Sequence, residues 1–408
     1  MAAALPEISD DAIAAAREAG AGEVRRTPVL LSRTAAAASG GPLALKAENL
    51  QRTGSFKLRG ALAKLAALGA DAGAGVVAGS AGNHAQSVAY AARARGVRCE
   101  VFMPPDAPIA KAEAVADLGA IVHQEGASVS ECVELAKARG EAAGMAFVHP
   151  FDDLDVIAGQ ATLGVELVEQ VEDLAMVVVP LGGGGLACGT AIAVKRARPD
   201  CRVVGVQVAG CAPYPASLAA GEARPAASAL TIADGIAVKR PGELTLPLAQ
   251  AWLDEVVVVE EEDVADAMVH LLERSKLVVE GAGAVGVAAL RSGRVSPAPE
   301  GRTVAVLSGG NVDVGLLAVV ARRHETEMGR RLVLFTRVPD RPGGLAAMLD
   351  EVAAAGGNVV DVDHVREGVD LSVRETGIQL VVETRGRAHA DTLLAALREH
   401  GYETRVLG

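Results

Sequence analysis

Residues 75–96 read GVVAGSAGNHAQSVAYAARARG, and the order of residue types in them sets the architecture. A short apolar strand, VVA, runs into a loop of small residues, and apolar residues then recur at helical spacing from about His84. The same grammar returns in CEVFMPPDAP followed by IAKAEAVADLG, and in AIVHQEG followed by SVSECVELAKARG. Strands alternating with helices at intervals of about 25 residues predict βαβ units and a mostly parallel sheet.

A second, longer run of this type starts at HPFDDLDVIAGQATLGVELVEQ. It continues through MVVVPLGGGG, VVGVQVAG, EVVVVEEEDVADAMVHLLER and TVAVLSGGN. Two α/β lobes follow from this, with a pocket where loops leave the carboxyl ends of strands and helices begin. The predicted smaller lobe covers about residues 51–150. The larger one takes residues 1–50 and 151–325. From Arg331 the pattern changes to strand, helix, strand, strand, helix, strand, which predicts a ferredoxin-like βαββαβ module over residues 331–408.

Composition narrows the function. At 408 residues with 50% apolar and 2% aromatic residues, Ala, Val, Leu and Gly carry the packing, and few rings remain to stack on bases. A net charge of −12 opposes a phosphate backbone, so nucleic acid is not an expected partner. Five cysteines without a CxxC pair and eight histidines without a zinc spacing predict neither a disulfide framework nor a metal site. A reducing cytoplasm fits this best. Ala175–Val194 is uncharged over a membrane-span length, but Pro180 and the glycines after it break the run into strand, loop and helix start.

The loops hold the chemistry. In ENLQRTGSFKLRGA, residues 48–61, Lys57 stands between a glycine-serine turn and a helix start. A primary amine there can hold an aldehyde cofactor as a Schiff base, once its pKa falls enough to free the lone pair. Phe56 is placed to lie against an aromatic cofactor ring. Gly182, Gly183, Gly184 and Gly185 bring backbone N–H groups to a phosphate at a helix beginning near Leu186 or Ala187. The run lacks the Lys-Ser/Thr ending of a nucleotide loop and the GxGxxG spacing, which argues against a nucleoside triphosphate or dinucleotide. Asn83 offers an amide to a phenolic oxygen, the Ser80–Gly82 backbone can take a carboxylate, and Ser308 ends an apolar strand where its hydroxyl can reach a ring nitrogen.

Taken together and in order, GSFKLRGA, SAGNHAQ, HPFDDLDVIAGQATLG, GGGGL, ADGIAVK and LSGGNVD resemble the fold-type II pyridoxal phosphate enzymes, and within them the threonine dehydratases. The resemblance spans about residues 5–325, and it implies a two-lobed, tryptophan synthase β-like α/β fold. The tail is similar to an ACT amino-acid-sensing domain, with DRPGGL at 340–345 in the loop between its first strand and helix.

The resemblance implies that pyridoxal 5'-phosphate is the cofactor, that Lys57 anchors it, and that Lys57 later removes the substrate Cα proton. It assigns the phosphate to Gly182–Gly185 with Leu186, the ring hydroxyl to Asn83, the ring nitrogen to Ser308, and the ring borders to Gly235 and Glu280. The substrate carboxylate falls to Thr53, Ser55, Ser80, Ala81, Gly82 and Asn83. The implied reaction takes L-threonine to 2-oxobutanoate and ammonia, and serine to pyruvate. Serine racemase is similar too, but has a serine where this chain has Ala81, which favours elimination over racemisation. A racemase, a hydroxyaspartate lyase and a catalytically silent amino-acid sensor stay open as alternatives. An amino-acid effector such as isoleucine, or a nucleotide, is implied for the tail, together with a homotetramer or homodimer.

Overall fold

Val76–Gly79 is a strand (β3) and Asn83–Arg95 a helix, the pair that the opening stretch predicts, with the helix one residue earlier than His84. In the computed structural model, residues 5–407 are described, apart from 33, 35, 38, 39 and 368. The chain divides into two units, Met1–Val312 and Asp313–Gly408. The helix Val314–Glu327 therefore belongs with the C-terminal unit, whereas the sequence pattern puts the boundary after residue 325.

The first unit holds two sheets. The strands in chain order are β1 Val29–Leu31, β2 Leu43–Ala47, β3, β4 Cys99–Met103, β5 Ile121–Gln124, β6 Ala146–Phe147, β7 Leu174–Pro180, β8 Arg202–Val208, β9 Glu255–Val259 and β10 Arg302–Leu307. The smaller sheet runs β5-β4-β3-β6 and is parallel throughout. The larger runs β1-β2-β10-β7-β8-β9, parallel except for the β1–β2 edge pair. Their central strands read as nearly continuous apolar runs because helices cover both faces of a parallel sheet. Every residue of β2, β3 and β4 is buried.

Strand order locates the pocket. From β7 the chain moves outward through β8 and β9, then returns to place β10 on the other side of β7. That reversal opens a crevice at the carboxyl ends of β7 and β10, where the glycine run and Ser308 begin. In the smaller sheet β3 lies between β4 and β6, so Ser80–Asn83 leaves a second reversal point.

Local signals set the helix ends. The Ser9 hydroxyl accepts from the Ala12 amide at 3.1 Å, Ser128 does the same for Glu131 at 3.2 Å, and Asp153 caps Leu154–Gln170. Ala175–Val194 resolves into β7, the glycine loop and the helix Gly185–Ala197. Among the described residues no helix is long and apolar enough to cross a membrane.

The second unit folds as β11 Arg331–Pro339, the helix Gly344–Ala354, β12 Asn358–Val365, β13 Glu375–Glu383, the helix Arg387–Glu399 and β14 Thr404–Val406. Its antiparallel sheet runs β12-β13-β11-β14, the ferredoxin-like order expected of a βαββαβ module. Alternation along β11 buries Leu332, Leu334, Thr336 and Val338 on one face.

Candidate active site

Five separated segments meet at Lys57, which opens the helix Lys57–Leu68. The turn before it is stitched to the end of β10. Phe56 N donates to the Ser308 carbonyl at 3.0 Å, Gly310 N donates to the Gly54 carbonyl at 2.9 Å, and Ser55 bridges Gly309. Gly54 sits at φ +72, and a Cβ there would collide with the Asn311 side chain. Asn311 Nδ2 in turn donates to the Thr53 carbonyl at 2.8 Å and to Asn83 Oδ1 at 2.7 Å. Asn83 Nδ2 donates to Glu280 Oε1 at 2.7 Å, and Glu280 N returns to the Gly309 carbonyl at 3.1 Å. Gly235 lies against this carboxylate, since a Cβ built on it would stand 3.6 Å from Glu280 Oε1.

This mesh brings together Thr53, Ser55, Phe56, Lys57, Asn83, Gly235, Glu280 and Ser308, all of them expected from sequence. The Ser55 hydroxyl is buried without a hydrogen-bond partner. The Thr53 hydroxyl is shared with Ser87 at 3.1 Å, and the Ser80 hydroxyl accepts from Gly82 N at 3.2 Å. Phe56 is partly buried against the larger-lobe core that includes Leu186. Glu280 is the residue before the helix Gly281–Arg291, and its carboxylate faces Asn83.

The glycine run starts its helix one residue before Leu186, at Gly185, because Gly184 at φ +101 takes the capping position. Side chains have no room behind it. A Cβ on Gly183 would enter the Phe151 ring, and one on Gly182 would come within 2.9 Å of Ile236 Cα. The amides of Gly182 through Ala187 donate to no acceptor among the described residues, although all six residues are buried. Buried amides need partners, and an anion at the start of a 13-residue helix satisfies them and the helix dipole together. A phosphorylated aldehyde fits these residues: an amine at Lys57, unpaired amides for the phosphate, and an unpaired hydroxyl at Ser55.

Electrostatics favour proton exchange. Burial lowers the Lys57 pKa to about 8, against the pull of Glu280, so the free amine is accessible near neutrality. Its one hydrogen bond runs from Nζ to the Pro150 carbonyl at 2.6 Å. Glu280 is raised to about 7 by burial, reinforced by Asp234 and opposed by Asn83 and Lys57. His84 and His149 are held neutral, burial lowering them to about 3 and about 4.

Several contributors are not legible in sequence. Asn311 closes SGGN, yet nothing there tells of its bonds to Thr53 and Asn83. In HPFDD each residue plays a separate part. His149 Nδ1 accepts from the Asp152 amide at 2.7 Å, Pro150 receives Lys57, and Phe151 backs the glycines. Asp152 accepts from the amides of Glu243, Leu244 and Thr245, and Asp153 caps a helix. Behind Lys57 lies a buried charge network of Lys46, Glu48, Arg59 and Glu166. A lone lysine inside the apolar strand LALKA is the available signal for it.

Comparison with known proteins agrees with this chemistry. The pyridoxal-phosphate dependent enzyme family matches residues 21–309. The L-threonine ammonia-lyase of Thermotoga maritima is 44% identical over 387 residues, covering 94% of this chain and 96% of that protein. The crystal structure of the T.th. threonine deaminase aligns with TM-score 0.70 and 41% identity, over 75% of this chain and 99% of that one. Maize serine racemase aligns with TM-score 0.73 and 35% identity, over 79% and 99%.

Proposed function

Since the chain belongs to the pyridoxal-phosphate dependent enzyme family, we propose that it deaminates L-threonine to 2-oxobutanoate and ammonia, taking L-serine to pyruvate by the same route. The observation that carries the chemistry is a depressed amine, Lys57, bonded to Pro150 beside the Phe151 ring that backs the glycine loop, whose six buried amides lack acceptors. The relative named for this activity, which matches 94% of the chain, supports the substrate.

Pyridoxal phosphate, when bound, supplies the electron sink that makes the substrate Cα–H bond acidic. The chain supplies position and proton handling. Lys57 would anchor the cofactor, and its Nζ, with a pKa near working pH, is suited to take the substrate Cα proton. Amides of Gly182, Gly183, Gly184, Gly185 and Leu186 hold the phosphate. Asn83, fixed by Asn311 and Glu280, would take the ring hydroxyl, and Ser308 would offer the ring nitrogen a hydroxyl rather than a carboxylate. Gly235 and Glu280 border the ring. Thr53, Ser55 and the Ser80–Asn83 turn hold the substrate carboxylate. Ala81 carries a methyl group with no proton to donate, which favours elimination over the racemisation named for the maize enzyme.

The C-terminal unit, with its ferredoxin-like sheet, is proposed as an ACT domain taking an amino-acid or nucleotide effector near Asp340–Leu345. The helix-entry residue Gly343 is at φ +86 there, and Asp340 pairs with Arg366 at 3.0 Å. A homotetramer or homodimer in the cytoplasm completes the reading, and five buried free thiols suit a reducing compartment.

Oxo-acid formation from L-threonine and L-serine, with chiral analysis of recovered serine, tests this. Oxo acid with serine recovered in the L form is the expected result. D-serine accumulation would support racemisation, and no turnover of either substrate by cofactor-loaded protein would support a silent sensor.

A further inference from the structure

We propose that Tyr214 and Thr245 are positioning residues that turn the Gly183–Gly184 peptide so that its N–H faces the phosphate. The inference rests on the glycine loop being the phosphate site.

The Gly183 carbonyl accepts from both hydroxyls, Tyr214 Oη at 3.1 Å and Thr245 Oγ1 at 2.7 Å, and the two hydroxyls touch each other at 3.2 Å. No peptide bond among the described residues is cis, so this N–H points opposite to its carbonyl. Holding the oxygen from behind therefore aims the Gly184 amide forward. The space where a Gly184 Cβ would stand is also filled by the Tyr214 and Thr245 hydroxyls, so the back of the loop is closed on two sides. With φ free at a glycine, nothing local would otherwise fix this peptide plane.

Both anchors are themselves held. Tyr214 is fully buried at the start of Pro213–Ala220, and its amide donates to Gln207 Oε1 at 2.9 Å, while Gln207 Nε2 donates to the Leu181 carbonyl at 3.0 Å. Thr245 opens Thr245–Trp252, and its amide donates to Asp152 Oδ1 at 3.1 Å. Burial raises the Tyr214 phenol well above its usual range, so it stays a donor at working pH. The two hydroxyls bond only Gly183, each other and the Gly242 amide among the described residues, and none of these belongs to the Lys57 mesh. The effect should therefore fall on recognition of the phosphate and leave attachment to the amine intact.

The test compares binding of pyridoxal 5'-phosphate and of pyridoxal to apoprotein, read by absorbance, in wild type, Tyr214→Phe, Thr245→Val and Thr245→Ser. Wild type should prefer the phosphorylated form strongly; equal affinity for both would overturn the phosphate-site reading itself. Tyr214→Phe and Thr245→Val should each weaken pyridoxal phosphate by roughly tenfold, the effect of about one lost hydrogen bond, with pyridoxal unchanged. Thr245→Ser keeps the hydroxyl and should keep the preference. An undiminished preference in both variants, or equal weakening of both ligands, would overturn the positioning role. Should Thr245→Val fail to fold, Tyr214→Phe, which removes one oxygen, decides alone.

Discussion

Lys46 and Lys57 flank the same turn and burial lowers both amines, yet the protein surrounds them with different partners. Lys46 is fully buried in β2, and its ammonium has three acceptors: the Thr27 carbonyl at 2.9 Å, Glu166 at 2.6 Å and Gln170 at 2.9 Å. Two residues beyond Lys57, Arg59 is clasped by Glu48 through Nε at 2.8 Å and Nη2 at 2.9 Å, and by Glu166 at 2.8 and 3.0 Å. Burial works against both charges there, but the ion pair outweighs it, holding Arg59 above and Glu48 below their usual ranges. Lys57 has one carbonyl acceptor and no ion pair within bonding distance, and burial pulls it toward neutrality. Close pairing holds Arg59 and Glu48 charged and makes that network structural, while Lys57, with a single carbonyl acceptor, is left ready to exchange a proton.

The comparison breaks first at Lys57. Lys57→Ala removes anchor and base together, so the visible absorbance of covalently held cofactor should vanish and turnover should fall by roughly 10³-fold or more. Retained activity in a variant that still folds would show that another group does this work. Thermal melting of the apoprotein should change little, because Lys57 contributes few bonds to the fold.

Arg59 should behave in the reverse manner. Arg59→Met leaves Glu48 and Glu166 without their guanidinium, and removing one partner of a buried pair costs about 3–5 kcal/mol. Urea unfolding should show that loss, and Arg59→Met combined with Glu48→Gln should recover part of it. A loss below about 1 kcal/mol would put this network among ordinary surface pairs.

The contrast also explains what can be read in sequence. The parallel lobes are legible because small-residue loops between apolar strands and amphipathic helices repeat in βαβ grammar, and the βαββαβ tail because alternation replaces continuous apolar runs. Lys57, the glycine run and Ser308 are legible because each follows or ends a strand. The charge network is not, since Glu48 and Glu166 lie 11 and 107 residues from Arg59, and the turn after β2 and the packing of Lys57–Leu68 against Leu154–Gln170 bring them together. Tyr214 and Thr245 are hidden for the same reason: what they hold is a backbone carbonyl, and no side-chain pattern announces that.

Glu280 gives the smallest and most diagnostic effect, because it is the charge that still touches Lys57 electrostatically. Its folded pKa of about 7 lies above the ordinary 4.5, so the native state binds the extra proton between those values. Native stability should therefore fall as pH rises from about 4.5 to 7 and level off beyond. Glu280→Gln removes that dependence, so the melting temperature of the variant relative to wild type should climb across this window and stay constant above it. A flat difference would mean the carboxyl is ionised throughout. The substitution also removes a charge that raises the Lys57 pKa. Pyridoxal phosphate should then join the apoprotein with a pH midpoint below the value near 8 expected for wild type, whereas an unchanged midpoint would uncouple the two groups. Because Gln keeps an oxygen for the Asn83 amide, the shift would report the charge and not the loss of the hydrogen bond.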